Sequence, residues 1–132
     1  MRIWLLLLVA CVLGCEPKFE GRGPLLLEGN AYTPVKCHVL APRATGIEVS
    51  DASGVWLSLV LPPATVRAWE ELNGAAEAEL TAPGKTTATL GACAKLALKG
   101  EGYHAEGKRA VSGTATLDCA QLKGTLTFSG CF

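Results

Sequence analysis

The clearest pattern along the chain is a two-residue alternation of apolar and polar side chains, which indicates strands with one buried face. In segment 55–61 the apolar residues share one face and the other face is also fairly apolar, which predicts a central strand. Segments 95–99, 113–118 and 125–130 place lysine or threonine on the outer face. About eight or nine such short strands predict a mainly β fold, a small antiparallel β-sandwich or barrel.

One segment has a three-residue spacing instead. Val66, Trp69 and Leu72 recur at every third position, which is the spacing of one face of a helix. Asn73-Gly74 follows as a C-terminal stop. The sequence therefore predicts one short helix over 65–73, which would be the only helical segment in a mainly β chain.

The first residues of the chain have a different character. After Met1-Arg2, residues 3–14 contain no charged side chain. Twelve helical residues extend about 18 Å, whereas the hydrocarbon core of a bilayer is about 30 Å thick. The run is therefore too short to be a membrane span, and residues 1–14 are predicted to be a signal peptide.

The apolar run ends in Val12-Leu13-Gly14-Cys15, which resembles the lipobox of bacterial lipoproteins. In that family the cysteine thiol receives a diacylglycerol, the peptide is cut before the cysteine, and the new N-terminus is acylated. The resemblance implies a covalent diacylglycerol and N-acyl lipid on Cys15, a lipid bilayer as partner and no other cofactor. Leu8-Val9-Ala10-Cys11 also fits the motif but would leave a shorter signal, and a plain secretory signal is the remaining alternative.

The residues after Cys15 indicate how the folded part is attached. Residues 15–23 are charged and contain proline and glycine, so they are predicted to be a lipidated N-terminus and tether, followed by a single β-domain over 24–132. In Gram-negative lipoproteins, Asp directly after the lipidated cysteine is the usual inner-membrane retention signal. Glu16 stands there instead, so the resemblance favours the outer membrane, and we expect an exported protein anchored on the periplasmic or outer side.

Length and charge exclude some classes of protein. The chain has 132 residues, which is room for one domain, and 49% of them are hydrophobic. Twelve basic residues balance twelve acidic ones. A chain without net charge has no long-range electrostatic attraction to nucleic acid, so no nucleic-acid partner is expected.

The predicted domain contains an even number of cysteines: Cys37, Cys93, Cys119 and Cys131. In an oxidising compartment this predicts two disulfides, and no cysteine pair has the C-x-x-C spacing of a metal site, so none is expected. A hairpin turn centred on residue 106 would place Cys93 opposite Cys119. The next hairpin would place Cys131 near residue 112, too far from Cys119. This geometry favours Cys93–Cys119 with Cys37–Cys131 over Cys37–Cys93 with Cys119–Cys131.

No constellation typical of catalysis is found, so we expect no catalytic residues. No serine lies in a G-x-S-x-G elbow, and no glycine-rich segment has the strand-to-helix context of a phosphate loop. His38 is predicted to be an exposed strand residue. Aromatic side chains that stack on glycans, together with the residues of a hairpin tip, are the candidate binding residues: Tyr32, Trp56, Trp69, Tyr103 and His104.

These observations favour a non-catalytic binding or envelope-structural role, with an envelope protein or a glycan as partner. One alternative is an inhibitor of a secreted enzyme, because small exported β-barrel lipoproteins that block lysozyme carry an early cysteine strand and a Ser-Gly loop. Residues 32–37 and Ser112-Gly113 are faintly similar, although the aromatic and charged residues expected after Ser-Gly are absent. A hydrolase, the other alternative, would need His38 or His104 within hydrogen-bond reach of a carboxylate.

Overall fold

The computed structural model of the protein describes residues 18–40, 45–62, 71–105 and 108–132. Within these ranges the chain forms antiparallel strands and no helix, which confirms the prediction of a mainly β fold. The strands are β1 (Glu20–Arg22), β2 (Leu25–Leu27), β3 (Asn30–Ala31), β4 (Pro34–Leu40), β5 (Thr45–Asp51), β6 (Trp56–Leu61), β7 (Glu71–Thr81), β8 (Ala88–Ala105), β9 (Lys108–Asp118) and β10 (Leu122–Cys131).

All of these strands belong to one curled sheet. From β4 to β10 each strand pairs with the next along the chain, and β1 and β2 both pair with β10. The sheet curls until β4 meets the C-terminus, where the Val39 backbone N–H donates to the Phe132 carbonyl oxygen at 2.8 Å. The Cys37–Cys131 disulfide crosses the same seam between β4 and β10, and the curled sheet has the form of a half-barrel.

The inward faces of the strands fill the interior with aliphatic side chains. Ile47, Val49, Leu57 and Leu59 have no exposed surface, whereas their neighbour Glu48 on the outer face is half-buried. Each such side chain stabilises the fold by about 1.5–3 kcal/mol through burial. β6 pairs with β5 on one side and β7 on the other, which confirms that the strand with two apolar faces is central.

The predicted helix over 65–73 is wrong for the part that the structure describes. Residues 63–70, which include Val66 and Trp69, lie outside the described residues. Residues 71–73 are the beginning of β7 and pair with residues 99–97 of β8. The backbone hydrogen bonds to β8 stabilise these residues as a strand. The local preference for a helix is weak, and pairing with a distant strand routinely overrides it.

Part of the predicted tether, residues 15–23, belongs to the sheet. Glu20–Arg22 form β1 and pair with residues 129–127 of β10, and the half-buried Phe19 packs against the core. Gly130 makes this close approach possible, because its φ is +68° and a Cβ there would overlap the carbonyl oxygen of Lys18. The folded part therefore begins before residue 24.

One side chain of β4 points away from the face that its alternation predicts. Val35, Cys37 and Val39 alternate along the chain and would share the inner face of a regular strand, yet Val35 is 49% exposed. The register between β4 and β5 shifts between Pro34 and Lys36, so one extra residue is inserted at Val35. Such a bulge turns the extra residue out of the alternation, while Cys37 stays buried.

Candidate functional site

The structure contains the two disulfides that hairpin register predicts. Cys93–Cys119 joins β8 to the end of β9, and Cys37–Cys131 joins β4 to the end of β10, each with a Cα–Cα distance of 5.1 Å. Cys131 pairs in the ladder with Val111, one residue from the expected position. β8 and β9 pair as far as Ala105 and Lys108, and their register shifts once between Gly100 and His104.

Trp56, a predicted binding residue, lies half-buried on the outer face of β6. Its ring stacks on the exposed ring of His38 from β4, with centroids 5.8 Å apart and planes inclined by 20°. The two rings meet across β5, where Ser50 pairs with Trp56 and is only 2% exposed. Trp56 therefore covers the central strands and also presents a partly exposed aromatic surface.

Carboxylates lie beside this ring pair. Glu48 occupies the position between His38 and Ser58 in the register, and its Oε2 accepts a hydrogen bond from Ser58 Oγ at 3.1 Å. Glu79 pairs with Ser58 on the next strand. The outer face of β5–β7 thus combines an aromatic surface with hydrogen-bond acceptors and a negative charge.

Tyr32 is buried rather than available to a ligand. Its side chain is 3% exposed, and its hydroxyl donates to the carbonyl oxygens of Val55 at 2.8 Å and Val49 at 3.3 Å. Burial, and secondarily the charge of Asp51, raises the pKa of Tyr32 well above its usual value. The expectation that Tyr32 lines a binding site is wrong, because it ties the segment before β4 to the β5–β6 hairpin.

A shallow groove crosses the outer face of β7, β8 and β9. It consists of two adjoining concavities of about 270 and 300 Å³ that share Asn73, Ala97 and Thr114 as lining residues. These three residues are direct neighbours in the register, so they form one row across the strands. Lys95 and Lys99 lie on the same strand as Ala97, one on each side of it, and are exposed.

Basic and acidic residues both border the groove. Glu71 of β7 pairs with Lys99 in the register, and the exposed Glu77 lies two residues beyond Ala75 on the same strand. The residues that face Lys95 across the strands, Ala75 and Thr116, carry no charge. The Lys-Ala-Lys alternation is visible in the sequence, but the groove was not predicted, because only the register of β7 and β9 brings Asn73 and Thr114 beside Ala97.

The other predicted site residues are not brought together by the described structure. Cys15, Cys11 and Trp69 lie outside the described residues. Tyr103 and His104 lie in β8 near the hairpin tip, where His104 pairs with Arg109, and the side chains of this tip are outside the description. Lipidation at Cys15 and binding through Trp69, Tyr103 or His104 stay predictions.

The Ser-Gly pair of the inhibitor hypothesis lies within a strand. Ser112 pairs with Lys99, and Gly113 pairs with Leu98 and Phe128, in the interior of β9. A Cβ at Gly113 would overlap the carbonyl oxygen of Ala97, so the glycine serves a close approach of two strands. The projecting loop that the resemblance implies is not formed at this position.

Comparisons with known proteins add no relative. No protein-family model, no curated protein and no solved structure matches the chain. In the part of the chain that the structure describes, no group of three or more histidine, cysteine or acidic side chains could hold a metal ion. No helix in those ranges is long and apolar enough to cross a membrane. The function is therefore argued from the surfaces and the cysteines of this chain.

Proposed function

We propose that the protein is an exported lipoprotein, anchored to a membrane through acyl groups on Cys15, whose β-domain binds an envelope component without catalysis. The observation that carries this proposal is the pairing of all four domain cysteines in two disulfides. Structural disulfides persist in oxidising compartments and are rare in the cytosol. They agree with the export that the lipobox resemblance implies.

The position of Phe19 adds to the proposal. Because Phe19 packs against the core, only Glu16, Pro17 and Lys18 separate it from Cys15. Four residue steps of extended chain reach about 14 Å at ~3.5 Å each. The anchor would therefore hold the β-domain close to the membrane surface, and Glu16 after the cysteine favours the outer membrane.

The outer face of the sheet is the surface that the proposal assigns to a partner. The interior is filled by aliphatic side chains, whereas the outer face carries the Trp56–His38 ring pair, Glu48 and the groove beside Ala97. Aromatic rings, carboxylates and hydroxyl groups are the side chains that bind glycans and polar protein surfaces. A glycan or another envelope protein is the partner class that these groups fit.

Membrane fractionation of two variants tests the anchor. The wild-type protein should stay with the membrane through a high-salt wash, because several acyl chains make release negligible. Cys15→Ser should release the mature protein or leave an unprocessed precursor, whereas Cys11→Ser, the matched control, should behave as wild type. Release by Cys11→Ser instead, or retention of the processed Cys15→Ser protein, would contradict lipidation at Cys15.

A further inference from the structure

We propose that the seam face of the domain, formed by β1, β2 and the first residues of β4, lies on the lipid bilayer, with Leu26 and Val35 inserted among the headgroups. The inference rests on the proposed anchor at Cys15 and adds the orientation in which that anchor holds the domain. It starts from the exposed large apolar side chains of the described residues, which are Leu26, 45% exposed, and Val35, 49% exposed.

The two apolar side chains border the same surface. Leu26 and Pro34, the residue before Val35, line one shallow concavity of about 360 Å³ together with Gly21 of β1. β1 also contacts β4 directly. Val35 is turned outward by the bulge at the start of β4, and re-aiming a side chain is a typical effect of a bulge. Within the described ranges, the exposed large apolar side chains are therefore gathered at the seam face.

The chain enters the fold on this same face. The carbonyl oxygen of Lys18 lies against Gly130, Phe19 packs on the core, and β1 follows at once. From Phe19 to Cys15 the extended chain reaches about 14 Å at most. A domain of this size is about 30 Å across. An acylated Cys15 therefore cannot reach the bilayer if the opposite side of the domain faces it, whereas it reaches easily if the seam face does.

The charges around the seam face do not select the lipid. Four basic and four acidic residues lie on its strands, in the turn after β2, or opposite its residues in the register: Lys18, Arg22, Lys36 and Lys123, with Glu20, Glu28, Asp51 and Asp118. Because these charges balance, anionic lipid adds little attraction. The contact depends on the apolar side chains, so a bilayer with neutral headgroups is sufficient.

The anchor and the seam face have different roles. Even one myristoyl chain gives only marginal, reversible membrane binding, so two aliphatic side chains do not hold a free domain on a bilayer. Once Cys15 is acylated, contact of the seam face with the bilayer becomes intramolecular, and a short linker makes such a contact effective. The acyl groups therefore retain the protein, and Leu26 and Val35 fix which side of the domain faces the lipid.

Photo-crosslinking from single positions tests this orientation. Leu26, Val35 or Ala75 is replaced by benzoylphenylalanine in the full lipidated chain, which is studied in phosphatidylcholine proteoliposomes and in the native membrane. Ala75 is the matched control, because it is exposed on β7, midway around the sheet between β10 and β4. Positions 26 and 35 should gain the mass of a phospholipid with about tenfold higher yield than position 75, because only they reach the acyl boundary.

A charged variant separates insertion from mere proximity to the membrane. Leu26→Asp should lower the lipid yield at position 35 about tenfold, since the burial of one aliphatic side chain is lost. Ala75→Asp should leave that yield unchanged. Both positions are exposed, and circular dichroism checks that the strand content is kept. Equal lipid yields at positions 26, 35 and 75, an undiminished yield in Leu26→Asp, or cross-links from positions 26 and 35 to a protein instead of lipid would overturn the orientation.

The anchor and the orientation fail in different experiments. A protein that is released by Cys15→Ser, but takes up no lipid at positions 26 and 35 in its lipidated form, keeps the anchor and refutes the orientation. A processed Cys15→Ser protein that stays on the membrane and still takes up lipid at these positions keeps the membrane contact of the seam face and refutes the anchor.

Discussion

Removing the disulfide at the seam should destabilise the domain more than removing the one within the β8–β9 hairpin. Cys37–Cys131 links residues separated by 94 positions, and Cys93–Cys119 links residues separated by 26. Closing these loops in the unfolded chain is worth about 4.7 and about 3.5 kcal/mol respectively in the chain-entropy model. The paired variant Cys37→Ala/Cys131→Ala should therefore lose about 1 kcal/mol more than Cys93→Ala/Cys119→Ala.

The native contacts around the two disulfides also predict that loss of Cys37–Cys131 is the more destabilising. β8 and β9 are joined by an antiparallel ladder that remains when Cys93–Cys119 is removed. At the seam, the backbone hydrogen bond from Val39 to Phe132 is a contact that the Cys37–Cys131 bridge supports directly. Loss of that bridge should therefore also loosen β4 from β10, which hydrogen exchange at the Val39 amide would detect.

Equilibrium unfolding in urea measures the difference. The chain from Glu16, produced without its anchor in an oxidising compartment, is unfolded with tryptophan fluorescence and circular dichroism as probes. With a urea dependence of about 2 kcal/mol/M, a difference of 1 kcal/mol separates the midpoints of the two paired variants by about 0.5 M. The reasoning would be refuted by equal midpoints, or by a lower midpoint for the variant that lacks Cys93–Cys119.

Three further predictions concern single residues and use the same unfolding assay. Tyr32→Phe should cost about 1 kcal/mol, because the Val55 carbonyl loses its donor. Burial raises the folded-state pKa of Tyr32, so the contribution of Tyr32 to the free energy of unfolding is complete below the unfolded-state pKa near 10.0 and is lost at higher pH. The stability of the wild type should therefore fall above that pH, and an equal fall in Tyr32→Phe would contradict this. Gly46→Ala should cost about 2 kcal/mol, because a Cβ would overlap the Leu59 carbonyl oxygen, and an unchanged midpoint would disprove the close approach. Trp56→Ala should lower the free energy of unfolding by about 2 kcal/mol, because packing over β5 is lost. An unchanged free energy of unfolding would show that the ring does not stabilise the fold.

Much of the fold follows from local patterns in the sequence. The alternation in segment 55–61 predicts a central strand with both faces covered, and β6 is paired on both sides. The disulfides could be predicted even though the tip of the β8–β9 hairpin has a different register, because a shift of one or two residues still leaves Cys93 beside Cys119. The predicted pairing is therefore correct despite the error in register, since a disulfide can form over a range of Cα–Cα distances.

What could not be predicted depends on contacts between distant segments. The spacing of Val66, Trp69 and Leu72 indicates a helix, but the pairing of residues 71–73 with β8 is decided by a partner some 26 residues away. Val35 is exposed because of a bulge that no local pattern announces. The same holds for the groove, because Lys95 and Lys99 are recognisable only as an outer strand face until Asn73 and Thr114 are brought beside Ala97.

The intact mass of the protein isolated from its native membrane, with and without reduction before alkylation, tests the central claim most directly. The account predicts a chain that begins at Cys15, is heavier by its acyl groups, and takes up no alkylating agent until it is reduced. After reduction, four thiols should react, and peptide mapping of the unreduced protein should recover the pairs Cys37–Cys131 and Cys93–Cys119. An unprocessed chain from Met1, or thiols that react without reduction, would contradict an exported, anchored and doubly bridged domain.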